Sequence, residues 1–269
     1  MVYSIYKYPY FDILSYLIDE NIDLGYNNNW RLIMKILLAA SKSYKLKGLS
    51  LNYQVSTYQK NCLNITEELL SQINKKSKNE LAEKMKLKNK LLDSTYDLYH
   101  SRDILNEVEA ISYYNGFVFK QLEDYSQHLD YLNENIILIS ALYGLLKPFD
   151  KIKPYRLDFN MKLFDKSLYQ YWTNLDSLIT DEVIVNLASN EYSKVINKDM
   201  INIQFRQIKE GKLKNMSTYT KMARGMFLNY LIQNEIDKVE DFKKFAIDGY
   251  RFIEEKSDSK NLYFIKELG

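Results

Sequence analysis

Cationic and aromatic residues are concentrated in one segment of the chain, Ser140–Asp158, which also holds Pro148 and Pro154, two of the three prolines. Its candidate functional residues are Tyr143, Lys147, Lys153, Tyr155 and Arg156. Cations interleaved with aromatic rings suit phosphate groups and stacked bases, so the segment is a candidate for nucleic-acid binding. A rigid structural loop with a solvated rim has the same composition. Both interpretations are open at this point.

A second candidate is the stretch Val183–Tyr192, where an apolar run leads into Ser189 and Asn190. Ser and Asn are favoured at helix starts, and a strand-to-helix corner presents free backbone N–H groups that can bind an anion. Glu191 falls in the first helical turn. It can serve as a general base, or it can simply complement the positive end of the helix dipole.

A third candidate is the segment Lys212–Met226. Lys214, Lys221 and Arg224 are spaced by seven and three residues, which places them on one side of a helix. Gly225 stands inside this helical pattern, where glycine costs about 1 kcal/mol relative to alanine. This cost predicts a close approach by another backbone or a ligand, or tight helix packing.

Residues of metal and cofactor sites are sparse. The single cysteine, Cys62, can form no intramolecular disulfide and fits a reducing compartment. His100 and His128 stand alone, without metal-ligand spacing. The chain also lacks the glycine-rich phosphate and dinucleotide motifs and the nucleophile elbow. We therefore expect no metal, no cofactor and no redox centre.

Composition indicates an ordinary globular protein. With 269 residues, 46% of them hydrophobic, the chain can form one large core or two small ones. The net charge of +2 gives no global argument for nucleic acid, so such an argument depends on local clusters. Neither a signal peptide nor an apolar run of about 18 residues is present, and we expect a cytoplasmic protein without membrane contact.

The elements that must position these residues form an alternating pattern of strands and helices. Short β-branched or aromatic runs predict strands at Met34–Ala40, Ile136–Ser140, Val183–Ala188, Ile201–Ile208 and Leu262–Ile265. Helices are predicted at Ser167–Leu178, Asn190–Ile196, Met216–Ile236 and Val239–Phe245. This order predicts an α/β (mixed α+β) fold, a single compact domain with a mixed sheet flanked by helices.

Residues from Ile65 to His100 follow a helical apolar period and are flanked by lysines. The lysines are Lys75, Lys76, Lys78, Lys84, Lys86, Lys88 and Lys90. They form either a nucleic-acid face or an ordinary solvated helix surface. The preceding residues 45–62 have no clear period and are predicted to be irregular.

Residues 1–33 differ from the rest, being rich in tyrosine and asparagine without a period. The codons of Trp30 and Arg31 can form a ribosome-binding sequence just before the Met34 codon. We therefore divide the chain into 1–33, either upstream sequence or a genuine N-terminal extension, and the domain 34–269.

Several segments, taken in order, resemble the YaaA family of bacterial peroxide stress proteins. They are the apolar strand ending in Ala39-Ala40-Ser41-Lys42, Ala141–Asp150, Pro154–Asp158, Asn186–Tyr192, Lys221–Gly225 and Gly249–Phe252. The resemblance covers residue 34 to the C-terminus. It departs from the family where Ala39-Ala40 replaces Ser-Pro, and where Phe117 replaces an acidic residue.

The resemblance implies a compact mixed α/β body with a helix-hairpin-helix-like element and a positively charged cleft. It implies binding of double-stranded or branched DNA, and a role in peroxide stress that limits free iron and iron-dependent DNA damage, with no cofactor. The phosphate-binding residues would be Lys42, Lys147, Lys153, Arg156, Lys221 and Arg224. Tyr143 and Tyr155 would stack on bases, and Ser189 with Asn190 would present a helix N-terminus. We expect a monomer.

Two other interpretations stay open. One is an enzyme acting on a nucleobase, nucleotide or DNA lesion, with Glu191 as acid or base and Arg156 as the anion clamp. In the other, the motifs form the core of an unusual fold and contact no nucleic acid.

Overall fold

The computed structural model describes residues 34–49, 51–180 and 183–268. The segment 1–33 lies outside these residues, so its separation from the domain 34–269 stays a prediction. Within the described ranges the strands are β1 (Met34–Ala39), β2 (Val108–Glu109), β3 (Ile136–Ser140), β4 (Gly144–Leu146), β5 (Lys151–Ile152), β6 (Val183–Asn186), β7 (Ile201–Lys209), β8 (Lys212–Lys214), β9 (Arg251–Phe252) and β10 (Asn261–Glu267).

Eight of these strands form one mixed sheet in the order β4-β3-β1-β6-β7-β10-β9, with β8 paired to β7. Strands β3, β1, β6, β7 and β10 are parallel, whereas β4, β8 and β9 each pair antiparallel with a neighbour. The short strands β2 and β5 pair separately. The predicted fold class, a single domain with a mixed sheet and helices, is confirmed.

The neighbouring parallel strands β1 and β3 are buried along nearly their whole length, as is typical of parallel strands covered on both faces. Every residue of β3 is buried, and so are the first five residues of β1. Their sequences are accordingly continuous apolar runs rather than alternating ones. This is why the two strands could be located from sequence, and β3 has the predicted bounds Ile136–Ser140.

The helices are α1 (Thr57–Asn74), α2 (Lys78–Met85), α3 (Asn89–His100), α4 (Ala110–Tyr113), α5 (Leu129–Asn135), α6 (Leu168–Tyr171), α7 (Asn190–Ser193) and α8 (Ser217–Gln233). Short 3-10 turns span Arg102–Ile104, Phe119–Gln121, Leu175–Leu178, Val239–Lys244 and Glu254–Lys256. Of the helices in the described ranges, none combines the length and the apolar character that a bilayer crossing requires.

The helix that was predicted at Ser167–Leu178 is wrong in its extent: it consists of the single turn α6 followed by the 3-10 turn Leu175–Leu178. Trp172 ends α6 because its ring is buried, and Nε1 donates to the carbonyl of Ala141 at 2.9 Å. The helical region Ile65–His100 is likewise three helices, and the supposedly irregular stretch 45–62 already contains the start of α1.

The helix α8 packs closely against the segment before the 3-10 turn Phe119–Gln121. A Cβ on Gly225 would overlap the carbonyl oxygen of Val118 and lie 2.7 Å from Cγ of Gln121. The close approach of another backbone that Gly225 predicted is therefore present. Glycine is required here because backbone cannot move aside as the end of a flexible side chain can.

We expect Gly225→Ala to destabilise the protein by roughly 1–3 kcal/mol, since overpacking outweighs the gain of about 1 kcal/mol in helix propensity. Urea unfolding followed by circular dichroism measures this difference. Gly211→Ala is the matched control, because nothing lies within 4 Å of its added methyl and only its positive φ of 68° adds strain. A stabilised Gly225→Ala variant would contradict the close contact.

Candidate functional site

The carboxyl ends of β1 and β6 meet at a topological switch point of the sheet. The chain goes from β1 to β3 on one side of β1, and later from β4 to β6 on its other side. The amide of Leu187 still donates to Leu37 at 3.0 Å, whereas Ala40 donates to Ile139 at 2.9 Å. The chain after β1 therefore stays paired with β3, whereas the chain after β6 leaves β1 beyond Leu187. Open α/β sheets bind ligands at such points; we call this region, residues 40–42 and 187–191, the switch-point crevice.

A buried carboxylate connects the two loops of the switch-point crevice. Asp158 is 3% exposed; its Oδ1 accepts from the hydroxyl of Tyr192 at 2.9 Å, and its Oδ2 lies 2.5 Å from Nζ of Lys42. Lys42 follows β1, and Tyr192 belongs to α7, after β6. Burial, and then the charge of Asp158, raise the pKa of Tyr192 well above its usual value, so this phenol keeps its proton and donates.

The segment that delivers Asp158 is fixed by buried tyrosine hydroxyls. Each of three hydroxyls accepts from the N–H of one residue and donates to the carbonyl of that same residue, at 2.7–3.2 Å. The pairs are Tyr143 with Lys153, Tyr113 with Tyr155, and Tyr99 with Arg156. Lys153, Tyr155 and Arg156 thereby keep their backbone polar groups paired, although residues 153–158 belong to no helix or strand.

Tyr143 and Tyr155, which were predicted to stack on bases, are core residues, 7% and 4% exposed. The hydroxyl of Tyr155 lies 2.8 Å from both Oγ of Ser140 and the hydroxyl of Tyr114. Ser140 also accepts from the amide of Tyr143 at 3.0 Å. Neither ring offers a free face, and we assign both a positioning role inside the fold.

The cations of the proline-rich segment are not brought together. Nζ of Lys147 donates to the carbonyl of Glu134 at 3.0 Å, an oxygen that also accepts from Lys35 at 2.9 Å. Both contacts lie at the amino end of β3. The switch-point crevice lies at the other end of the parallel strands. Nζ of Lys153 donates to the carbonyl of Arg102 at 3.2 Å. Lys147 is separated from the crevice because β4 runs antiparallel to β3 and carries the chain back to the amino end of β3.

Arg102 is a positioning residue that sequence reasoning missed. Its guanidinium donates to the carbonyl of Pro154 at 2.7 Å and to the hydroxyl of Tyr143. Its contacts therefore fix the same segment that the tyrosine hydroxyls hold. The available signal was scarcity, because arginine accounts for six of the 37 basic residues.

The helix after β6 is shorter than predicted. Instead of Asn190–Ile196 it is the four-residue α7, and Ser189 has extended cap geometry but makes no side-chain cap hydrogen bond. One turn has little dipole, so the anion site expected at Ser189 and Asn190 loses its physical basis. Glu191 is half-buried, and its Oε1 accepts from the amide of Asn160 at 3.4 Å.

Within the described part of the chain, three buried side-chain polar atoms have no hydrogen-bond partner: Nε of Arg156, Oδ2 of Asp158 and Nε of Arg224. The approach of Lys42 to Asp158 is thus a charge contact without hydrogen-bond geometry. Buried polar groups are nearly always paired, so unpaired ones indicate water, an ion or a ligand. All three atoms belong to segments that the sequence singled out.

Contacts between neighbouring segments connect Arg224 to the switch-point crevice. A Cβ on Gly116 would lie 3.0 Å from Cβ of Ser41, the residue before Lys42. Two residues after Gly116, the carbonyl of Val118 meets Gly225, the residue after Arg224. The segment from Gly116 to Val118 therefore contacts both the loop after β1 and the middle of α8. Lys221, one turn before Arg224, is exposed.

Lys214, predicted on the same helix face, is instead in β8 and pairs with Glu210 at 3.6 Å.

The described ranges contain no group of three or more His, Cys, Asp or Glu that could hold a metal ion. His128 pairs with Glu235 at 3.0 Å, and His100 stacks on Tyr96. Cys62 is buried, and burial raises the pKa of its thiol to about 11. A thiol with this pKa is almost entirely protonated near neutral pH and is a poor nucleophile.

Comparison with known proteins gives a consistent result. The family model described as "Peroxide stress protein YaaA" matches residues 34–256. A UPF0246 protein of Fusobacterium nucleatum is 39% identical over 246 residues, covering 87% of this chain and 99% of that protein. UPF0246 proteins of Finegoldia magna and Legionella pneumophila strain Lens are 34% and 32% identical, covering 87% and 86% of this chain and 99% of each relative.

Tyr113→Phe tests the hydroxyl pairing. Removing the hydroxyl leaves the buried N–H and carbonyl of Tyr155 unpaired, so we expect a loss of about 1–3 kcal/mol in unfolding free energy. Tyr44→Phe is the control, because this ring stacks on Tyr113 while its hydroxyl makes no hydrogen bond to a described residue. It should cost about 0.5 kcal/mol or less. Equal costs for the two variants would contradict the assigned role of the hydroxyl.

Proposed function

The chain belongs to the YaaA family of peroxide stress proteins, and from this premise we propose that it binds DNA, through phosphate contacts in the switch-point crevice. The observation that carries the proposal is the pair of unpartnered, buried Nε donors on Arg156 and Arg224. The guanidinium group is planar, always charged near neutral pH, and matches the oxygens of a phosphate in a bidentate way. Phosphate contacts supply much of the affinity of proteins for DNA.

The charges around these donors support a phosphate ligand. Lys42 and Lys221 are exposed at the rim, and neither Arg156 nor Arg224 forms an ion pair with a described carboxylate. Asp158 is offset by Lys42, so cations remain in excess. Lys147 is not part of this site because it lies at the amino end of β3, away from the crevice. Of the predicted cleft residues, we retain the two arginines and the two rim lysines.

The junction of α2 and α3 is a second surface that can contact DNA phosphates. The helices α2 and α3 are joined by only three residues, and Lys86, Lys88 and Lys90 around this junction are exposed. Lys88, at the start of the 12-residue α3, makes no side-chain cap hydrogen bond, which leaves first-turn N–H groups available to an anion. We propose this pair of helices as the helix-hairpin-helix-like element that the family resemblance implies.

In the cell, the proposed consequence is protection of DNA from iron-dependent damage under peroxide. The proposed partner is double-stranded DNA, with branched forms preferred. Titration of linear, nicked and junction duplexes in a gel-shift assay tests the form of DNA. An enzyme that acts on a nucleobase or lesion is the alternative, and for it Glu191→Gln should abolish turnover but leave the salt dependence of binding unchanged.

The double variant Arg156→Ala with Arg224→Ala tests the proposed phosphate contacts. It should weaken binding to all DNA sequences alike and reduce the slope of log affinity against log salt by about two, roughly one for each phosphate that an arginine no longer neutralises. Fluorescence anisotropy at several salt concentrations measures this slope. The fold should survive, because the segment of Arg156 is held by its backbone bonds to Tyr99.

Arg251→Ala is the control, because Arg251 is an exposed arginine on the edge strand β9. Its salt slope should equal that of the unaltered protein. A double variant that folds, judged by its melting temperature, yet keeps both affinity and slope would refute the crevice as the DNA site.

A further inference from the structure

A second arginine, Arg206, lies beside Arg224. The guanidinium of Arg206 donates through Nη1 to the carbonyl oxygen of Phe205 at 2.9 Å. Oγ1 of Thr220, on α8, lies 3.4 Å from the same oxygen. Arg224 follows Thr220 by one helical turn and shares its face of the helix. Phe205 packs on Phe227 of α8, so the Arg206 side chain leaves β7 on the other face and its guanidinium reaches back to the carbonyl that α8 contacts. The charge of Arg206 accordingly acts on Arg224.

This pair lies at an open edge of the sheet. β6 pairs with β7 only at Ile201 and Asn202, and β8 pairs with β7 only from Gln207 onward. On this edge, residues 203–206 have no strand partner within the described ranges. Because β6 ends at Asn186 while β7 continues, the open edge borders the carboxyl end of β6, where the switch-point crevice begins.

The two charges are not compensated by any described carboxylate. Arg206 donates to neutral oxygens only, the carbonyl of Phe205 and Oε1 of Gln204, and its cation lies near the ring of Tyr263. Nε of Arg224 is buried without a partner. Burial, and then the charge of Arg206, lower the pKa of Arg224 to about 10, so the group stays charged at neutral pH. Adjacent cations of this kind are costly unless an anion neutralises them.

We propose that Arg206 and Arg224 form a binding site for a phosphate monoester dianion, such as the terminal phosphate of a DNA strand or of a nucleotide. A monoester carries a charge of about −1.5 to −2 at pH 7, which matches two guanidinium groups. An internal phosphodiester carries one negative charge and would neutralise only half of the pair. Where the source is a DNA end, the inference rests on the proposed DNA binding.

The first arm of the test compares duplexes of one sequence that end in a 5′-phosphate or a 5′-hydroxyl. Anisotropy titration should give roughly tenfold tighter binding for the phosphorylated end, the gain expected of charge-assisted hydrogen bonds. Arg206→Gln should remove this preference while the 5′-hydroxyl duplex still binds. Arg251→Gln, the matched control, should keep the preference. Arg206→Lys retains the charge but loses the paired N–H donors of the guanidinium, so it should keep only part of the preference. This variant replaces Arg206→Gln if Arg206→Gln does not fold.

The second arm distinguishes the source of the phosphate. Calorimetric titration with a nucleoside monophosphate and with inorganic phosphate should show binding that Arg206→Gln weakens roughly tenfold. Binding of the monophosphate without a preference for phosphorylated ends supports the site and identifies the ligand as a free nucleotide. Identical behaviour of the unaltered protein and both Arg206 variants with every probe would overturn the inference. Failure of the unaltered protein to bind any duplex would instead refute the proposed DNA binding.

Discussion

The structure depends on pairing the backbone of an irregular segment inside the core. Residues 153–158 belong to no helix or strand, yet four of the six are buried. An unpaired buried N–H or carbonyl costs about as much as the loss of a hydrogen bond, so such a segment needs partners at almost every residue. Tyrosine hydroxyls supply them at Lys153, Tyr155 and Arg156. A phenol suits this role because it can donate and accept at once while its ring packs like any apolar side chain.

This pairing determines where the functional groups lie. With its backbone fixed, the segment delivers Asp158 to Lys42 and Tyr192, and so connects the loops after β1 and β6. Arg156 is held by the same backbone bonds, which leaves its side chain free of any structural hydrogen bond at Nε. The tyrosines that composition associated with base stacking are instead buried, and Tyr143 holds the backbone that carries Arg156 and Asp158.

Sequence reasoning succeeded where one local signal decides the outcome. The buried strand β3 is a continuous apolar run. Gly225 stands inside a helix, where glycine is unfavourable, and this predicted the close backbone contact with Val118. It failed where a tertiary contact overrides local preference, as at α6, which the burial of Trp172 ends early.

The motif segments of the candidate site differ in where the fold places them. The loops after β1 and β6 lie together, because the carboxyl ends of parallel strands share one end of the sheet, and Asp158 connects them. Lys147 does not converge, because the antiparallel strand β4 reverses the chain direction. Arg102 and Arg206 were missed, since only the scarcity of arginine, and nothing in their local sequence, distinguishes them from any surface cation.

We propose that DNA phosphate binds to the unpartnered Nε groups of Arg156 and Arg224. Nitrogen-15 NMR of the arginine side chains observes these N–H groups directly, and single Arg→Lys variants assign the resonances. On adding a short duplex, the Nε–H signals of Arg156 and Arg224 should shift, while that of Arg251 stays in place. Shifts confined to other residues, with the Nε–H signals of Arg156 and Arg224 unchanged in DNA-bound protein, would show that these two arginines do not bind DNA phosphate.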